Sequence, residues 1–273
     1  MLDFARRLPD LRAFCVDVLE GRDGLDRERV LACAVRLLDH GFFRIGTERA
    51  VEEDDAVGLT TMRKDHVTVR SGDTLEFDYP AKGRKRQVRS LADPTVVEIV
   101  ARLRRRRTGG QELLAYRDGG TWVDVTAIDV NELIKRHCGG ESSAKDFRTW
   151  NATVLAAVAL AVNGTLESTT RRRQAVTRAC REVAHYLGNT PTVARNSYID
   201  PRVFDRFASG WVIDVVALAE EYAGFGVPAY QGELEKAVLD LLTEDTDALG
   251  VVATDVLLGD LEALADREPG VSV

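Results

Sequence analysis

Over most of the chain the apolar residues recur at spacings of three and four, and between residues 57 and 89 the period drops to two. A period near 3.6 lays apolar side chains along one helix face, whereas a period of two sends them to one face of a strand. Leu2–Glu20 and Asp26–His40 therefore read as amphipathic helices, the second carrying Val30, Ala34, Leu37 and Leu38 and ending at Gly41. Val67-Thr68-Val69 and Leu75-Glu76-Phe77-Asp78-Tyr79 alternate around Ser71-Gly72-Asp73, a turn sequence, and predict a small antiparallel sheet. Pro94 opens a helix to about Arg107, and Asp124–His137, Lys145–Val162 and Leu166–Tyr186 read as three more, broken by Gly139-Gly140 and Asn163-Gly164. Helical patterning continues over Trp211–Tyr222, Gly232–Leu242 and Val251–Leu264. The expected class is α+β, mainly α.

The net charge of −7 taken alone argues against a nucleic-acid partner, because such affinity comes largely from Lys and Arg meeting phosphates. Its distribution reverses the inference. From Trp211 onward the only bases are Lys236 and Arg267 against 14 acids, so residues 1–210 carry +5 and the remainder −12. This predicts a basic working domain over 1–210 and an acidic helical extension over 211–273. Cys15, Cys33, Cys138 and Cys180 are widely spaced and read as reduced core residues, and His40, His66, His137 and His185 share no ligand spacing with them, so neither metal nor cofactor is expected. No apolar run is long enough to cross a bilayer and no signal-peptide pattern opens the chain, which predicts a cytoplasmic protein with no membrane partner.

Several cations stand in unusual places. Arg44 follows two aromatics in Gly41-Phe42-Phe43-Arg44-Ile45-Gly46, where a guanidinium among apolar groups needs an anion; an ion pair with Glu48 would serve as well as a ligand. Arg148, in Lys145-Asp146-Phe147-Arg148-Thr149-Trp150, is placed in the first turn of a helix, which suits a cation only if an anion or a nearby carboxylate meets it. The run Lys82-Gly83-Arg84-Lys85-Arg86 forms a basic turn able to reach a phosphate. Tyr198, between Ser197 and Ile199, is on composition alone a packing residue.

Taken in order, Gly41–Gly46, Gly58-Leu59-Thr60-Thr61-Met62-Arg63-Lys64-Asp65-His66-Val67, the turn around Lys82, Lys145–Trp150, and Leu187-Gly188-Asn189-Thr190-Pro191 followed by Ser197-Tyr198-Ile199-Asp200-Pro201 resemble the successive motifs of bacterial, poxvirus-like type IB DNA topoisomerases. The resemblance spans about residues 1–207 and implies the helical catalytic fold shared with tyrosine recombinases. It implies that Arg44, Lys82, Arg148 and Asn189 surround a scissile phosphate of duplex DNA and that Tyr198 attacks it. Two guanidiniums would hold the non-bridging oxygens, and Lys82, among Arg84, Lys85 and Arg86, would protonate the leaving 5′-oxygen. Lys145 and the basic turn would contact DNA. A 3′-phosphotyrosyl bond conserves the energy of the broken one, so religation needs no nucleotide, and the chain has no Gly-x-x-x-x-Gly-Lys loop.

The chain departs from the family at three points. Asn189 stands where many relatives have histidine and can donate a neutral hydrogen bond only; His185, a turn earlier, reads as a packing or surface residue. The turn reads Pro80-Ala81-Lys82-Gly83-Arg84-Lys85 where Gly-Lys-Ser-Gly is usual, leaving Lys85 as an alternative to Lys82. The family's N-terminal clamp domain is expected to be absent, which would weaken DNA binding. The acidic extension would be a solvated appendage, a DNA mimic or a site for a protein partner, on an enzyme monomeric on DNA in the bacterial nucleoid. A tyrosine recombinase or integrase is the alternative with the same chemistry, but it usually carries His-x-x-Arg where Lys145-Asp146-Phe147-Arg148 stands. A clamp-deficient DNA-binding module with little activity is the other.

Overall fold

The structure is a computed structural model that describes residues 1–83, 85–163, 168–221 and 232–259. It divides into two compact units, Met1–Arg148 and Thr149–Val273. The first contains α1 (Leu2–Gly21), α2 (Arg27–Gly41), α3 (Glu48–Asp54), β1 (Val67–Arg70), β2 (Thr74–Ala81), β3 (Lys85–Ala92), α4 (Pro94–Arg105), β4 (Ala115–Asp118), β5 (Thr121–Asp124), α5 (Ala127–Cys138) and the start of α6 (Ala144–Asn163). The second takes the rest of α6, then α7 (Thr169–Leu187), α8 (Pro191–Ser197), α9 (Arg202–Ala208), β6 (Trp211–Ile213), α10 (Val215–Glu221), α11 (Glu233–Leu242) and β7 (Val251–Ala253). The class is α+β and mainly α, as the periodicity predicts.

In the first unit α2 is the core element. Asp26 caps it, accepting from the backbone N–H groups of Glu28 and Arg29, and Val30 through Val35 are all buried. Helix α2 packs against α1, α4, α5, β3 and β4, and the charges of its polar side are met by partners: Arg29 by Glu98, Arg36 by Asp93 and Asp39 by Arg12. The helix is amphipathic, as read from the sequence, with its apolar face in the core and its polar face covered through ion pairs. Strands β1, β2 and β3 form the antiparallel sheet in sequence order, with Phe77 opposite both Val67 and Arg89 and Ala81 opposite Lys85. Alternate residues Leu75, Phe77 and Tyr79 are buried. Asp93 accepts from the Val96 N–H and Pro94 takes the first turn of α4, as the sequence indicates.

Three expectations are revised. The helix read from Asp124 starts at Ala127, because residues 115–124 form the β4–β5 hairpin, whose turn residues Gly119 and Gly120 both have positive φ. Residues 211–213 and 251–253, read as helix, pair as β6 and β7, and helix resumes at 215–221 and 254–259. Gly164 of the expected break, the expected helix start at Leu166 and the stretches 222–231 and 260–264 lie outside the described residues, whereas α11 agrees with its reading. All four cysteines are buried without bridges; burial pushes the Cys15 thiol up to about 12 and the Cys138 thiol to about 11. Among the described residues no helix is long and apolar enough to cross a membrane, and no group of three or more His, Cys, Asp or Glu is placed to hold a metal ion.

Candidate active site

The first unit carries three of the predicted site cations, Arg44, Lys82 and Arg148, on segments that it ties together. Helix α2 ends at Gly41 because the Phe43 ring lies over it: a Cβ there would come within 2.1 Å of the ring. Phe42 takes the left-handed cap position, φ 54°, that glycine usually fills. Phe43 is 1% exposed and packs edge-on to Phe77, ring centroids 4.8 Å apart, with Tyr79 at 6.1 Å, so the loop bearing Arg44 is fastened to β2. The same loop is stitched to the next motif: Leu59 N–H donates to the Arg44 carbonyl at 2.7 Å and Thr60 N–H to the Ile45 carbonyl at 2.8 Å. Gly46 and Gly58 are both needed there, since a Cβ on Gly58 would meet Gly46 Cα at 2.3 Å. Val57 N–H donates to the Pro80 carbonyl at 2.9 Å, two residues before Lys82.

Arg148 is 3% exposed and donates from Nη1 to the carbonyl of Phe42, two residues before Arg44. Its position differs from the expected first helical turn. Helix α6 starts at Ala144, which puts Arg148 fifth, and the start is already capped: Asp146 accepts from Ser143 N–H at 2.9 Å and Asn131 Oδ1 from Ala144 N–H at 2.9 Å. Arg148 is therefore held by a carbonyl of the Arg44 loop, and the open helix end expected to face an anion is filled from within. Lys145, in that first turn, is exposed.

Lys82 and Gly83 form an exposed turn between β2 and β3, with Lys82 the first residue after the strand and Lys85 the first residue of β3. Arg84 lies outside the described residues. Arg86 differs from its neighbours: its Nε donates to Asp78 at 2.7 Å across the ladder, so a carboxylate meets its charge. The pair is exposed on both sides and contributes little to stability, which leaves a phosphate able to compete for the guanidinium.

The second unit holds Asn189 and Tyr198 at the two ends of α8. Gly188, φ 63°, caps α7, and Asn189 N–H closes that cap on the Ala184 carbonyl at 2.9 Å. Thr190 then caps α8, accepting from Val193 N–H at 3.3 Å, with Pro191 at its first position. Tyr198 ends α8, half-buried, with its N–H on the Ala194 carbonyl at 3.1 Å. Ile199 is buried beneath it. Thr153, fully buried on α6, donates to the Thr149 carbonyl at 2.8 Å, lies 3.4 Å from the Tyr198 carbonyl and accepts from Asp200 N–H at 3.1 Å. Sequence reasoning missed Thr153, because a hydroxyl in an alanine-rich helix shows its partner only after folding. Burial pushes the Asp200 carboxyl up, but the fork of Arg202, at 2.9 and 2.6 Å, outweighs it and holds the group below the usual range. His185 is exposed and lies edge-on to Tyr186.

This scaffold has relatives. The family model for the eukaryotic DNA topoisomerase I catalytic core matches residues 1–208, and the chain belongs to that family. DNA topoisomerase 1B of Acanthamoeba polyphaga mimivirus is 24% identical over 212 residues, covering 73% of this chain and 60% of its own length. DNA topoisomerase 1 of Daucus carota is 28% identical over 129 residues, 47% of this chain and 15% of that protein. The Schizosaccharomyces pombe protein of the same name is 28% identical over 149 residues, 52% and 17%. The chain thus spans 60% of the mimivirus relative and 15% to 17% of the other two. The family match does not favour the recombinase alternative.

Proposed function

We propose that this chain cuts one strand of duplex DNA and reseals it, relaxing supercoils, as a monomeric type IB topoisomerase with Tyr198 as nucleophile. The Tyr198 oxygen gives up its proton to solvent water and attacks phosphorus in line. The bond to the 5′-oxygen breaks, Lys82 supplies the proton that leaves with that oxygen, and a 3′-phosphotyrosyl bond remains. Religation is the reverse: the 5′-hydroxyl attacks, and the tyrosine oxygen departs and regains a proton. Because one phosphodiester is exchanged for another, no nucleotide has to be hydrolysed.

Negative charge grows on the non-bridging oxygens during each transfer, so the groups that accelerate it must already point there. Arg44 and Arg148 take that role, and Asn189 adds a neutral donor. Lys145 and Lys85 contact the flanking backbone, and Arg86 reaches it from β3. The observation that carries this reading is the buried Arg148, anchored on the Phe42 carbonyl of the very loop that bears Arg44. A guanidinium already held by a backbone carbonyl loses less freedom when an anion arrives.

Negatively supercoiled plasmid, incubated in EDTA without ATP, provides the test. Relaxation by the natural chain and none by Tyr198→Phe is the expected result; no relaxation by either, at protein concentrations that bind the plasmid, would refute the reading.

A further inference from the structure

The family match ends at residue 208, and the chain beyond it is acidic, yet its described residues, 209–221 and 232–259, fold as part of the second unit. Strand β6 pairs with β7, and Val212, Ile213, Ala237, Val238, Leu241, Leu242 and Leu257 are buried. Helix α11 packs on α9, just after the Tyr198 segment, and on both strands. One of its contacts differs in kind. Glu235, 7% exposed, accepts at Oε1 from the indole Nε1–H of Trp150 at 2.7 Å, and Trp150 is fully buried.

A carboxylate is a costly group to bury where a leucine would pack, and what it gives in return is direction. The indole it holds belongs to α6, two residues after Arg148 and three before Thr153, whose hydroxyl lies against the backbone of Tyr198 and Asp200. Hydrophobic packing alone would let this turn of α6 slide or rotate by fractions of an ångström. A hydrogen bond to a planar indole fixes both. We infer that Glu235 is a positioning residue for the cleavage reaction: the acidic extension sets, through Trp150, the rotation of the α6 turns that carry Arg148 and Thr153. The inference rests on the proposed function and extends it to a segment outside the family match. It makes the extension part of the working domain.

The test is single-turnover cleavage of a nicked suicide duplex at 25 °C, with duplex affinity and far-ultraviolet circular dichroism measured alongside. Glu235→Leu and Trp150→Phe should each slow adduct formation about 10- to 100-fold, the scale of a sub-ångström to 1 Å misplacement, while affinity changes less than about twofold. Glu235→Gln, which keeps the acceptor oxygen, should stay within about threefold of the natural chain. The double variant should be no slower than the worse single one, because both remove the same bond. If Glu235→Leu does not fold, Trp150→Phe carries the same expectation. Unchanged cleavage rates in folded variants, or a loss confined to thermal stability, would overturn the positioning role alone. A natural chain that binds the duplex but forms no adduct would instead refute the cleavage reading and the positioning with it.

Discussion

Arg148 and Lys82 are assigned to the same phosphate, yet the fold holds them in opposite ways. Arg148 sits on a helix, 3% exposed, with a backbone carbonyl against its guanidinium. Lys82 stands exposed on the turn between β2 and β3, beside Gly83 at φ 74°. The difference matches the roles proposed for the two groups. A group that stabilises charge works best when nothing must reorganise at the moment of reaction, whereas a group that donates a proton must approach and withdraw.

The contrast is most open to attack at Arg148. Arg148→Ala should slow cleavage about 1000-fold, and Arg148→Lys should fail to restore it, because an ammonium cannot reproduce a planar fork. Both variants should also lower the melting temperature, since the buried anchor to Phe42 is lost in either case. Full activity in Arg148→Lys would end the argument for a rigid fork. Lys82→Ala should cost about 100-fold with no change in melting temperature, and a duplex bearing sulfur in place of the 5′-bridging oxygen, a leaving group that needs no proton, should restore most of the rate. Lys85→Ala should lose less than about tenfold on the ordinary duplex and show no such rescue. If the two lysines exchange behaviour, Lys85 is the acid.

The smallest effect concerns the segment after the nucleophile. The folded Asp200 carboxyl sits below its unfolded value of about 3.9, so it contributes stability that is present above that value and lost as pH falls through the lower folded one. Asp200→Asn should therefore be less stable than the natural chain at pH 7, with the gap closing as the pH falls below the unfolded value of about 3.9. Urea denaturation across that range measures it, and a pH-independent gap would show that packing, and not the Arg202 pair, is what the carboxylate supplies.

What could be read from the sequence divides along the same line of local against distant causes. Asp26 before α2, Asp93-Pro94 before α4 and the alternation of Leu75, Phe77 and Tyr79 are local signals, and each marks the element it predicts. The β4–β5 hairpin was hidden because its residues are mostly exposed and show no apolar alternation; its Gly119-Gly120 turn was the one visible signal. Strands β6 and β7 are three residues each and pair across nearly forty positions, which no window can see. The motif residues were legible one by one. That Arg148 is anchored on Phe42, that Thr153 backs Tyr198 and that Glu235 holds Trp150 depend on side chains brought together from 45 to 106 residues apart.

The central claim is that Tyr198 becomes covalently attached to DNA. The most direct measurement is mass spectrometry of the peptide carrying residues 196–202 after incubation of the natural chain with a nicked suicide duplex and nuclease digestion. The proposed mechanism predicts a nucleotide joined through its 3′-phosphate to Tyr198 and release of the downstream strand with a free 5′-hydroxyl. An adduct on another residue, or a cut duplex with no adduct at all, would contradict it.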